Sequence, residues 1–141
     1  MTSKMRKVPK IVTLFILNSE NKLLIVKRSK NKWILADKWG YPGGVMEKGE
    51  TIETAVHREV VPKVGFDVTI ANIGKKQRMI LSNKEVDVIP VLCRSDTSEV
   101  KLNYKNSEYK WIDPKELLTY NLGVEKDFVI KMTKSVGLII Q

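Results

Sequence analysis

The sequence predicts an α+β domain in which helices cover a mixed sheet. Three observations predict it. Apolar, β-branched runs bounded by turn residues recur along the chain. One amphipathic stretch in the middle and one near the end carry helical spacing instead. No internal repeat, low-complexity stretch or linker interrupts the 141 residues, which suffice for one domain, 1–141, with a real core.

Taken in order, KIVTLFIL (10–17) is apolar and β-branched and reads as a buried strand. Asn18-Ser19-Glu20-Asn21 is a turn, and KLLIVKR (22–28) is the returning strand. Residues 29–38 are polar and Lys-rich and read as a loop, and WGYPGG (39–44) leads into a helix. That helix spans 51–64, because Ile52, Ala55, Val56, Val60 and Val64 recur at helical spacing. Thr51 suits its N-cap and Gly65 its exit. Pro62 lacks a donor and crowds the carbonyl of Arg58, at a cost of about 3 kcal/mol or more, so a kink or an end is expected near 58–61. Residues 68–74, 78–81 and 85–94 read as strands, with Ser82-Asn83-Lys84 as a hairpin turn. Pro90 then argues for an edge position or a bulge. Residues 108–112 form a short strand. Asp113-Pro114-Lys115-Glu116 opens a short helix with an Asp cap and Pro at N1, and 126–135 forms the last helix.

Composition sets the class. A hydrophobic fraction of 43% with 29% charged residues is that of an ordinary globular domain. The single cysteine, Cys93, excludes an internal disulfide framework, and the single histidine, His57, excludes a His-based metal cluster. The basic start MTSKMRKVPK is followed by an apolar run too short to span a membrane and by no small-residue cleavage site, so a cytoplasmic protein is expected. The net charge of +9 favours anionic partners such as nucleotides or other phosphates. The lysines are spread rather than clustered, so a solvated Lys-rich surface is a simpler account than nucleic-acid binding.

Several residues could carry chemistry. Glu59 falls within the apolar stripe of the 51–64 helix, and positions 62 and 63 share its face. A core-facing carboxylate is costly unless it is paired with a basic side chain or bound to a cation. Gly43 and Gly44 let the backbone turn sharply and approach a ligand closely, although a Pro-Gly-Gly loop is also common without one. Glu50, at the helix start, could cap the helix, contact Arg58 or hold a metal. Arg28 ends the second strand and could hold a phosphate bidentately, or be only a solvated strand end. Trp33, Trp39 and Tyr41 could stack a base, and Trp39 could equally be core. Glu108 is a late carboxylate that could act on a substrate as a metal ligand or a base.

From Gly44, five residues lead to Glu50, seven more to Arg58-Glu59-Val60, and Gly65-Phe66 closes the run. This resembles the signature of the Nudix hydrolases (MutT-like) at seven of its nine specified positions. The other two, a pair of glutamates in the family, are Pro62 and Lys63 here. WGYPGGVMEKGE (39–50) resembles the family's lead-in, and EYKW (108–111) with DPKEL (113–117) resembles its late Glu, Trp and short-helix element, so the resemblance covers nearly the whole chain. It implies the Nudix fold, an α/β/α sandwich with a mixed sheet. It implies hydrolysis of a nucleoside diphosphate-linked or other nucleotide substrate with Mg2+ or Mn2+, the Gly43 carbonyl and Glu59 holding the metal. Glu59 and Glu50 would serve catalysis, with Arg58 orienting the carboxylates. Arg28, Trp39, Lys63 and Glu108 would meet the substrate. Glu47, Glu53, Glu85 and Asp87 are the remaining acids that could replace the missing pair. The alternative is a non-catalytic module of the same fold, in which Lys63 neutralises the phosphate of a nucleotide or other phosphorylated ligand.

Overall fold

The computed structural model describes residues 8–29, 37–81 and 83–140. Its centre is a mixed sheet built on β1 (Lys10–Leu17) and β7 (Lys84–Arg94), which pair in parallel from Lys10–Asp87 to Leu17–Arg94. Between them in sequence lie β2 (Leu23–Arg28), β3 (Trp39–Gly40), β4 (Gly43–Val45), α1 (Ile52–Val64), β5 (Thr69–Ile73) and β6 (Gln77–Leu81). β8 (Asn106–Ile112), a short 3-10 helix (Pro114–Thr119) and α2 (Lys126–Val136) follow. All other strand pairings are antiparallel, which makes the sheet mixed as the sequence predicts.

Side-chain alternation along the strands separates two cores. Val12, Leu14 and Ile16 of β1, Leu24 and Val26 of β2, and Ile89, Val91 and Cys93 of β7 pack with Ala55, Val56, Val60 and Val64 of α1. On the opposite face Phe15, Leu17, Leu23, Ile25, Val86 and Val88 pack with Leu117 of the 3-10 helix and Val129, Met132 and Val136 of α2. The result is the α/β/α layering that the family resemblance implies. Burial on both faces explains why β1 and β2 read as continuous apolar runs.

One topological detail makes the cleft. β1 and β2 pair only at Leu17–Leu23, beside their turn, where Asn18 Oδ1 accepts from the Glu20 and Lys22 N–H groups at 3.0 and 2.9 Å. Beyond that point they part. β1 takes β4 as its partner, with Ile11, Val12 and Thr13 opposite Val45, Gly44 and Gly43, while β2 takes β3 and β8. The Gly-Gly segment therefore enters the sheet at the split and faces α1.

Two expectations are corrected. α1 does not end near 58–61 but runs through Pro62 to Val64. There Gly65, at φ 86°, donates its N–H to the Val61 carbonyl at 2.9 Å. Pro62 lies in the last turn and is exposed, so it does not share the buried face of Glu59. The Thr51 cap, the αL Gly65 and a buried stripe outweigh one lost helical hydrogen bond. Pro90 is neither an edge residue nor at a bulge: it sits in the central strand opposite Thr13. Its carbonyl accepts from the Gly74 N–H at 2.8 Å, so its missing donor faces the place where β5 gives way to β6. The short helix expected after Asp113 is present, as a 3-10 helix, and is capped as expected by Asp113 Oδ1 on the Lys115 N–H at 3.0 Å.

Candidate functional site

The split between β1 and β2 opens into a cleft of about 560 Å³ that reaches from the Gly43-Gly44 segment to α2. Backbone geometry builds its wall. Gly43 holds φ 147°, and a Cβ there would lie 2.0 Å from the Val12 carbonyl oxygen. A Cβ on Gly44 would lie 2.3 Å from Glu59 Oε1. Only glycines let β4 pair with β1 on one side and receive a helix carboxylate on the other.

α1 supplies the charged groups. Arg58 donates Nε to Glu50 Oε2 at 2.6 Å and Nη2 to Glu50 Oε1 at 2.9 Å, a bidentate pair. It also donates to Glu59 Oε2 at 2.7 Å and to the Val45 carbonyl at 3.0 Å. Glu50 accepts the Glu47 N–H at 2.8 Å, so it ties the lead-in loop to the helix. The Arg58 hydrogen bond holds the Glu50 carboxyl at about 2, well below the usual range, with the Glu47 N–H contributing in the same direction. The same contact with Glu50 raises the Arg58 guanidinium further.

Lys63 completes the arrangement. One turn after Glu59, its Nζ lies 2.5 Å from Glu59 Oε1 and donates to the Gly43 carbonyl. Glu59 and Lys63 are 9% and 8% exposed, so this is a buried ion pair rather than a surface one. Burial lowers the Lys63 ammonium from its ordinary value, Glu59 opposes that shift, and Lys105 and Arg28 add to it. Arg28, Lys63 and Lys105 thus form one basic group lining the cleft. Lys105 escapes sequence reasoning because it lies in an irregular segment and reaches the cleft only through the fold.

The divalent cation that the signature implies does not fit these donors. The Gly43 carbonyl and Glu59 Oε1 are engaged by Lys63, Glu59 Oε2 by Arg58, and both Glu50 oxygens by Arg58. Among the described residues no three His, Cys, Asp or Glu side chains group as a metal site. Of the acids that could have replaced the missing pair, only Glu47 lines the cleft, where it is exposed and 3.9 Å from Arg58. Glu53 is exposed on α1, and Glu85 and Asp87 are both tied to Arg78 at 2.6 Å.

The remaining candidates separate. Arg28, Trp39 and Tyr41 line the cleft. The Trp39 ring packs edge-on against Tyr120, with Lys110 and Lys27 at 5.4 and 5.8 Å from its centre. Glu108 does not line the cleft; it is exposed on β8 and sits 3.6 Å from Lys27. Trp33 falls outside the described residues. His57 pairs with Asp67 at 2.5 Å on the outer side of α1, and Cys93 is buried in the core, its thiol pushed up to about 12.

The α2 side of the cleft is apolar, lined by Met79, Leu81, Val88, Phe128 and Met132. The Tyr41 side chain packs on the same side. The Tyr41 hydroxyl is buried, and among the described residues it has no hydrogen-bond partner. Burial raises the hydroxyl well above the usual tyrosine value, so it remains a neutral donor.

Comparison with known proteins agrees with this fold. The chain is 25% identical over 125 residues to nucleoside triphosphatase NudI of Escherichia coli, covering 77% of this chain and 85% of that protein. The MutT protein of Methanosarcina mazei Go1 superposes with a TM-score of 0.76 at 26% identity, over 92% of this chain and 95% of that one. A Caenorhabditis elegans Ap4A hydrolase shares the fold at TM-score 0.73 and 18% identity, over 90% and 94%. The family model described as the NUDIX domain matches residues 7–132, and the chain belongs to the Nudix family.

Proposed function

We propose that this protein recognises a nucleotide or a related phosphorylated small molecule in the cleft, and that metal-assisted hydrolysis by the family's route is weak or lost. The two-sided lining of the cleft supports the first part. Arg28, Lys38, Lys63 and Lys105 offer positive charge to phosphate groups. Met79, Leu81, Phe128 and Met132 offer an apolar bed to a base-sized group, with the Tyr41 hydroxyl as its polar contact. The NudI relatives, named as nucleoside triphosphatases, point to the same ligand class. The observation that carries the second part is the Lys63 ammonium on Gly43 and Glu59, which occupies the carbonyl and the carboxylate oxygen that would hold a divalent cation.

The test is a thermal-shift and phosphate-release panel of nucleoside di- and triphosphates, run with EDTA and then with magnesium or manganese. The expected outcome is a raised Tm with at least one nucleotide and release near background. A panel that leaves Tm unmoved in both conditions sinks the binding reading. A second reading, a working hydrolase, is favoured by Glu50, Arg58 and Glu59 standing at signature positions. Robust metal-dependent release that Glu59→Gln abolishes would establish it over the first. Release that emerges only when Pro62→Glu and Lys63→Glu are combined would support impaired turnover in the natural chain.

A further inference from the structure

We propose that the Lys63 ammonium is the resident cation of this cleft, seated on the Gly43 carbonyl and the Glu59 carboxylate, so that the protein takes up the phosphate groups of its ligand without a divalent metal. This deepens the reading of the cleft as a phosphate-binding site and rests on it.

The placement is specific. Lys63 lies in the last turn of α1, where a positive charge is favoured by the helix dipole, and it follows Glu59 at i,i+4 in the stabilising orientation. Its partner across the fold is a backbone carbonyl twenty residues away, presented by a glycine whose conformation and close packing exclude other residues. An ammonium has three donors. Gly43 and Glu59 engage two, and among the described residues nothing further is bonded to the third, while Lys63 itself lines the cleft.

The charge balance points the same way. Among the described residues, the cleft is lined by five cationic side chains, Arg28, Lys38, Arg58, Lys63 and Lys105, and by two carboxylates, Glu47 and Glu59. A divalent cation entering this field meets repulsion, whereas a diphosphate or triphosphate meets attraction. Lys63 also neutralises Glu59, so the carboxylate does not repel an incoming phosphate.

Inorganic pyrophosphate and Mn2+ serve as probes. Calorimetry of the full chain should show pyrophosphate binding in EDTA, and Mn2+ alone at millimolar concentration should give no protein-bound signal by electron paramagnetic resonance. Lys63→Gln, checked for folding by its unfolding transition, should weaken pyrophosphate binding by at least about tenfold. Tight Mn2+ binding to the unmodified protein overturns the proposal, as does pyrophosphate binding only when Mn2+ is present. A folded Lys63→Gln protein with undiminished pyrophosphate affinity overturns it too. The first measurements use no variant, so a failure of Lys63→Gln to fold leaves the test intact. Absence of pyrophosphate and nucleotide binding both with and without metal overturns the reading of the cleft itself, and is distinguishable from binding that merely requires metal.

Discussion

The two sides of the cleft differ in how their polar groups are satisfied. On the α1 side, Glu50, Arg58, Glu59, Lys63 and the Gly43 carbonyl are linked in one network of short contacts. On the α2 side, the Tyr41 hydroxyl stands among apolar side chains with no partner among the described residues. A completed buried network holds a site in one shape, whereas an unpaired buried donor costs free energy until something bonds to it. The α1 side is thus built and charged before any ligand arrives. The α2 side has a polar contact left to make. Under the proposed reading, anchoring falls to the first and discrimination between ligands to the second.

The largest expected effect is on the α1 wall. Gly43→Ala forces a Cβ onto the Val12 carbonyl in a backbone region that disfavours side chains, so a loss of about 3 kcal/mol or more in unfolding free energy is expected. A near-normal denaturant midpoint would show that β4 can move off β1 and that the wall is not rigid.

Next comes the ion pair. Glu59→Ala leaves Lys63 buried without its carboxylate, which is expected to cost about 3 kcal/mol. Combining Glu59→Ala with Lys63→Met should return much of that loss, because both charges are then gone. Additive losses in this double-mutant cycle would mean that the two side chains are not coupled, and the contrast between the sides would weaken.

Tyr41→Phe sharpens the comparison from the other side. Removing a hydroxyl with no partner should leave stability unchanged or raise it by up to about 1 kcal/mol, while nucleotide affinity falls. A drop in Tm would reveal an internal partner for that hydroxyl.

The smallest effect is acid sensitivity. Glu50 has a folded pKa of about 2 against an ordinary 4.5. A depressed carboxylate stabilises the fold fully above its unfolded value and loses that contribution as pH falls towards the folded one. Stability should therefore decline between about pH 4.5 and pH 2, and Glu50→Gln should flatten that part of the curve in pH-dependent unfolding.

Local periodicity carries far in this chain. The 51–64 stripe, its Thr51 cap and its Gly65 exit depend on residues within a few positions of one another, and helical geometry then places Glu59 on the buried face. The apolar runs of β1 and β2 and the paired glycines are legible for the same reason: burial on both faces and freedom from a side chain are written into residue type. What meets across the fold is not written there. Whether Pro62 breaks the helix depends on packing that outweighs one hydrogen bond, and Pro90 is tolerated centrally because the neighbouring strand changes beside it. Lys105, in the irregular segment before β8, reaches the cleft, while Glu108 sits opposite Lys27 in the register of β8 on β2 and does not line it. The signature alone places a positive charge where a negative one is usual. Only the register of β1 with β4 brings the Gly43 carbonyl to that charge, because a helix fixes which way a side chain faces but not what the rest of the chain lays against it.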